Sequence, residues 1–299
     1  MNRNNENLPL AVKIEGFEKH YKDFDLGPLN FEIPSGFTTA LIGENGAGKT
    51  TLLDAIGGIA SSDNKITWLE KYTDLDQNNG EPRNEVAWCA NNRYFPEYWS
   101  MKNVKRVMPL AFNNFNMEKF DSICKDFNLP DDSKEKNAKK ISSYSSGNKT
   151  RLFLASLLAR ETKLLVLDEP DAALDPLIRD KLNSKFREYI RNGNGSTSIL
   201  FSTHNVADME NIVDYAVFLS KGKILKEGFV EDLRENYRYV HGDKALSSKV
   251  SDFAESVYIG DYEFEALCKT NDCENLGDEI AVEVPTLCQL SIMILRSGE

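Results

Sequence analysis

The run Gly43-Glu44-Asn45-Gly46-Ala47-Gly48-Lys49-Thr50 fits the pattern G-x-x-x-x-G-K-[ST] at every fixed position. Glycines let a backbone pass close to phosphate groups with its N–H groups turned inward. A helix beginning where the loop ends adds the positive end of its dipole. The Lys49 ammonium has the reach to meet β- and γ-phosphates, the Thr50 hydroxyl suits a Mg²⁺ ion, and Thr51 beside it is a further candidate nucleotide contact. A plain glycine-rich turn is the competing reading. The apolar strand before the loop and the helix after it argue against that reading.

A second constellation lies far along the chain. Leu164-Leu165-Val166-Leu167 is an unbroken apolar run ending in Asp168-Glu169. Such a run suits a strand buried on both faces of a parallel sheet, with two carboxylates delivered at its end. Asp168 suits a water-mediated hold on Mg²⁺. Glu169 suits polarisation of a water attacking the γ-phosphate, a role that contributes about 10²–10⁴-fold in rate.

The elements that must position these groups follow from periodicity. Residues 12–14, 29–33 and 38–42 read as short strands, with Pro34-Ser35-Gly36 as a turn, and 50–59 reads as the helix after the loop. Further strands are expected at 65–69, 85–89, 198–201 and 215–219, and helices at 151–160 and 182–190. Residues 103–127 turn helical and form a candidate subdomain. Beyond Gly228 the texture changes to a small α+β appendage, with a strand over 279–284 and a helix opened by Pro285.

Composition narrows the classes. Of 299 residues, 41% are hydrophobic and 28% charged, which excludes a disordered chain and fits one large domain or two smaller ones. Lys and Arg number 36 against 47 Asp and Glu, a net charge of -11 that argues against a general nucleic-acid binder. No apolar run approaches the ~20 residues of a membrane helix. The start, MNRNNENLPL, has no apolar signal segment. The expectation is a cytoplasmic chain whose membrane role, if it has one, comes through a partner. Cys89, Cys124, Cys268, Cys273 and Cys288 show no CxxC or Cys/His metal spacing and read as reduced structural thiols.

Other motifs fall into place around the two constellations. Tyr144-Ser145-Ser146-Gly147-Asn148, ahead of a helix, resembles the LSGGQ signature of the ABC ATPases. Ala172-Ala173-Leu174-Asp175 resembles their D-loop, and Ser202-Thr203-His204 their switch histidine. Tyr21 in Lys19-His20-Tyr21 resembles the A-loop aromatic that stacks on adenine; covering a sheet edge is its bland reading. The order and spacing extend over residues 12–228. The resemblance implies a P-loop ABC ATPase of the α/β class, with a RecA-like mixed sheet core over 1–90 and 152–228. It further implies a helical subdomain with the signature over 91–151 and a small C-terminal α+β extension over 229–299. It implies ATP and Mg²⁺, catalytic roles for Lys49, Glu169 and His204, metal-holding roles for Thr50 and Asp168, and nucleotide contacts from Ser145, Gly147 and Asp175.

The sequence departs from the family pattern in two places. The signature begins Tyr-Ser-Ser and ends in Asn148 instead of Gln, while keeping Ser145 and Gly147, which in the family meet the γ-phosphate. The glutamine expected after the 85–89 strand is absent; Asn91 or Asn92 fills its slot, with Asn91 the favoured residue. Its arm is one methylene shorter. Phe95, Tyr98 and Trp99 follow, either as core of the helical subdomain or as a groove for a partner helix. His20 and His241 have no companions and receive no role.

Two functions fit. In the first, two such chains sandwich two ATP molecules, one chain's phosphate loop against the other's Ser145 segment, and drive a membrane-spanning permease. The tail Val284-Pro285-Thr286-Leu287, running on to Ile294-Leu295-Arg296, resembles that of the ABC-2 type exporters, which move drugs, antimicrobial peptides and toxins. The chain would then sit on the inner face of the cell membrane through its permease, as a homodimer or heterodimer. In the second, the chain is a soluble ABC ATPase of cofactor assembly or regulation, which would not account for the tail.

Overall fold

The computed structural model describes residues 8–59, 65–76, 81–89, 95–131, 133, 135, 138–274 and 276–298. Its strands are β1 (Leu10–Tyr21), β2 (Phe24–Pro34), β3 (Thr38–Ile42), β4 (Ile66–Trp68), β5 (Val86–Cys89), β6 (Leu164–Asp168), β7 (Ser198–Thr203), β8 (Tyr215–Ser220), β9 (Lys223–Phe229), β10 (Tyr237–Asp243), β11 (Ser256–Ile259), β12 (Glu263–Lys269) and β13 (Ala281–Glu283). Its α-helices are α1 (Lys49–Ile56), α2 (Met101–Ala111), α3 (Met117–Asp126), α4 (Ser146–Leu158), α5 (Pro176–Asn192), α6 (Val230–Asn236) and α7 (Leu287–Arg296).

A six-stranded sheet of order β5-β6-β7-β3-β8-β9 forms the centre. Its first five strands are parallel, and β9 returns antiparallel to β8. Every residue of β3, β6, β7 and β8 is buried, as a sheet covered on both faces requires. The period-two alternation divides them between two cores. Leu165, Leu167, Phe201 and Phe218 face one core, where Phe120 of α3, Leu154 of α4, Phe186 of α5 and Met293 of α7 meet them. Val166, Leu200 and Val217 face the other, where they meet Leu52 and Ile56 of α1 and the second sheet, of order β2-β1-β4.

Parallel pairing puts the carboxyl ends of three strands on one rim. Ile42 stands beside Thr203, and Asp168 beside Ser202. Open α/β sheets bind ligands outside such a rim. The helix that leaves it, α1, ends against two indoles: Trp68 Nε1 donates to Ile56 O at 2.7 Å and Trp88 Nε1 to Leu53 O at 3.1 Å.

Several elements differ from the sequence expectation. The strands expected at 12–14 and 29–33 are parts of two long strands, Leu10–Tyr21 and Phe24–Pro34, so Tyr21 lies at a strand end. The helix expected to run to residue 59 stops at Ile56, before Gly57 and Gly58. The 103–127 stretch is two helices, because the Asn116 side chain accepts from the Lys119 N–H and starts α3 afresh. The C-terminal part holds a four-stranded antiparallel sheet of order β11-β12-β10-β13 over a small core of Val240, Phe264 and Ala266. After it, Thr286 and Gln289 exchange capping bonds of 2.8 and 3.1 Å, and α7 packs back into the main core. Among the described residues no helix is long and apolar enough to cross a membrane.

Candidate active site

The loop from β3 to α1 is shaped by its glycines. Gly46 and Gly48 have φ of 84° and 104°, a region L side chains avoid. At Gly48 a side chain would also strike Leu26 Cδ1, 2.8 Å from an ideal Cβ. Lys49 opens α1 and is buried, its ammonium donating to Gly43 O at 2.7 Å and Glu44 O at 2.9 Å. Burial draws its pKa below the usual lysine range, while the carboxylates of Glu169, Asp168 and Glu44 pull it back up.

The carboxylates at the end of β6 are held from both sides. Thr50 Oγ1 donates to Asp168 Oδ2 at 2.9 Å, and Ser202 Oγ donates to Asp168 Oδ1 at 2.6 Å. The same Ser202 oxygen accepts the Glu169 N–H at 2.9 Å. Glu169 itself has φ 45°, a strained position for a non-glycine residue, stabilised by that bond. Its Oε1 lies 2.9 Å from His204 Nδ1, a pair that needs the imidazole proton on Nδ1. Sequence reading placed Ser202 only as a neighbour of His204. A serine in an apolar strand carries no local signal of a bond to residues 33 and 34 positions away.

A cavity of about 330 Å³ gathers Tyr21, Phe24, Asn45, Gly46, Lys49, Thr50, Thr51 and Glu169 into one chamber. Tyr21 is 55% exposed, with its ring centroid 6.4 Å from that of Phe24. A larger cleft of about 430 Å³, lined by Lys13, Glu32, Tyr215 and Glu227, holds none of these groups.

Ser145, Gly147 and Asp175 do not line the chamber; they form a second cluster. Ser145 caps α4, accepting from the Asn148 N–H, and is exposed. A Cβ on Gly147 would stand 2.9 Å from Ala173 O. Asp175 caps α5 through the Ile178 N–H at 3.1 Å and pairs with Arg151 of α4. Arg179, which sequence reading missed, ties this stretch to the loop after His204 by bonding Leu174 O and the Asp208 carboxylate. Asn91 and Asn92 lie outside the described residues. Phe95 stacks on Trp99 at 5.9 Å and meets Phe153 edge-on at 5.3 Å, both packed against the main core, while Tyr98 is exposed.

Comparison with known proteins agrees with this geometry. The family model "ABC transporter" matches residues 26–172. The chain is 32% identical over 233 residues to a "Probable sulfate/thiosulfate import ATP-binding protein" of Chlorella vulgaris, covering 76% of this chain and 94% of that one. It is 27% identical over 272 residues to an energy-coupling factor transporter ATP-binding protein of Enterococcus faecalis, covering 84% and 88%. A solved ATP-binding subunit of an ABC transporter superposes with a TM-score of 0.65 at 23% identity, covering 75% of this chain and 92% of that one. The fold is that of the P-loop ABC ATPases, and the chain belongs to the ABC transporter family as an ATP-binding, ATP-hydrolysing subunit.

Proposed function

We propose that the chamber seats ATP with its base against Tyr21 and its phosphates in the loop at Gly43–Thr51, and that two such chains close on two ATP molecules to drive a permease. The observation that carries this reading is the single chamber holding Lys49, Thr50 and Glu169 with an exposed aromatic at its edge. Lys49 exchanges its bonds to Gly43 O and Glu44 O for phosphate oxygens. Glu169, fixed by Ser202 and His204, takes up the proton of the attacking water at its carboxylate, and His204 stabilises the γ-phosphate. The paired oxygens of Thr50 and Asp168 fit Mg²⁺, which takes one or two protein oxygens and leaves its other positions to water and phosphate; bound there, it would neutralise phosphate charge.

Ser145 and Gly147 stand apart from their own chain's chamber, which supports a role against the nucleotide of a second chain. The test is a mixture of wild-type chain with Ser145→Arg chain. Poisoning of activity beyond simple dilution is expected in a homodimer, and activity proportional to wild-type chain would overturn it. Lys49→Ala should abolish turnover; normal turnover would sink the nucleotide seat.

The transport direction proposed is export, of a drug, antimicrobial peptide or toxin, supported by the resemblance of the tail that becomes α7. Import is the second reading, favoured by the 32% identical relative, a probable sulfate/thiosulfate import ATP-binding protein. Co-purification from membranes, identification of the permease and uptake into vesicles of known sidedness distinguish the two.

A further inference from the structure

The turn between β8 and β9 presses against the phosphate loop. Ser220 pairs with Lys223 across it, and its two central residues, Lys221 and Gly222, have φ of 46° and 77°. Such turns favour Asn or Gly at both places, so Lys221 sits in a strained position. The Gly222 N–H donates to Ala47 O at 3.1 Å, and Gly222 O accepts from the Gly27 N–H at 2.8 Å. Gly222 is buried, and a Cβ there would lie 2.0 Å from Asp25 O. One residue before the turn, Leu219 O abuts Gly43, where a Cβ would stand 2.3 Å from it. The hairpin therefore touches the phosphate loop at its first residue, Gly43, and again at Ala47. It also touches the β1–β2 hairpin, whose Tyr21 and Phe24 line the chamber. On its outer side, Lys221 Nζ donates to Gly298 O at 3.2 Å, just beyond α7, and Gly298 itself packs on Leu225.

We propose that Gly222 is a positioning residue for the nucleotide, holding the phosphate loop and the Tyr21 hairpin at a fixed separation, and that Lys221 ties this separation to the segment after α7. The two halves of a nucleotide are gripped by two different pieces of chain, and the turn is bonded to both. The tail at Gly298 thereby acts on nucleotide affinity without entering the chamber. The inference rests on the nucleotide seat proposed above.

The test compares binding of ATP and of inorganic tripolyphosphate, which has no base, to the purified full chain. Gly222→Ala forces the turn off the Asp25 backbone. It should raise Kd for ATP at least tenfold, about 1.4 kcal/mol, and Kd for tripolyphosphate less than threefold. Equal weakening of both ligands, or of neither, would overturn the positioning role. Should thermal melting show Gly222→Ala unfolded, Lys221→Ala decides, since it leaves the turn backbone in place. Its KM for ATP should rise about threefold with kcat within twofold. Truncation after Ser297 should do the same, and the combination no more than either alone. Multiplying effects, or an unchanged KM in both, would refute the link. Lys49→Ala is the control: if it keeps both ligands, the seat itself is wrong, and if it loses both, the Gly222 result stands alone.

Discussion

Ser202→Ala is the sharpest probe of the site, because one buried hydroxyl holds two functional groups. It removes a 2.6 Å bond to the Asp168 carboxylate and leaves the Glu169 N–H without the partner it had at 2.9 Å. A hydrogen bond to a charged group contributes about 1.5–3 kcal/mol, and an orphaned buried donor costs about 1–3 kcal/mol. The two share one oxygen and do not add in full, so the expected loss is ~3 kcal/mol, measured by urea unfolding. Asp168 and Glu169 are then free to drift, and a 1 Å misplacement in an active site can cost about 10²-fold. The expected kcat falls about 10–100-fold, while ATP binding through Lys49 changes little. In an Asp168→Asn background the stability cost should shrink, since the bond to Asp168 is then neutral. A loss under ~1 kcal/mol with normal kcat, or an identical cost in both backgrounds, would refute the reasoning.

Glu169→Gln keeps the shape and removes the proposed base; it should retain ATP, stop turnover and shift the chain to an ATP-bound dimer on gel filtration, and wild-type turnover would remove Glu169 from that role. Burial and then the neighbouring Glu32 push the Glu227 carboxyl up to about 7 from its ordinary 4.5, so the folded chain binds this proton more tightly than the unfolded chain. That stability is fully present below pH 4.5 and is lost as pH rises through 7. Glu227→Gln should therefore raise Tm at pH 8 more than at pH 5, and equal shifts would contradict it. Arg160 is buried, lies 3.7 Å over the Phe112 ring and donates to Arg83 O. Arg160→Met should lower stability by ~2 kcal/mol, and an unchanged urea midpoint would disprove the contribution.

Much of this molecule could be read from the chain because its signals are local. The phosphate loop is one run of eight residues, and the Asp168-Glu169 pair ends an apolar strand with no polar residue inside it. Burial on both faces of the sheet makes residues 164–167, 199–201 and 215–219 of β6, β7 and β8 continuous apolar runs, which stand out from loops. What could not be read is what depends on distance or on half-wet surfaces. Ser202 bridges β6 and β7 with an ordinary side chain. Arg179 looks like any solvated helix residue until Leu174 O and Asp208 are brought to it. The strands β10 and β12 mix buried positions with Tyr, His, Glu and Lys, since one face of their sheet meets water. Phe95 and Trp99 follow the packing reading, with Tyr98 left outside; nothing in their spacing distinguishes the three.

The two indoles at the back of α1 give the protein an optical gauge of its own. Of its three tryptophans, Trp68 and Trp88 bond to carbonyls in the last turn of the helix whose first residue is Lys49. That helix has eight residues, so it is a rod about 12 Å long. If Lys49 and Thr50 at one end take hold of phosphate as proposed, any tilt or roll of the rod is transmitted to the bonds that both indoles make at the other. Emission from Trp68 and Trp88 should then report nucleotide arrival without an added dye. Trp99, stacked on Phe95, supplies a separate background that Trp99→Phe removes.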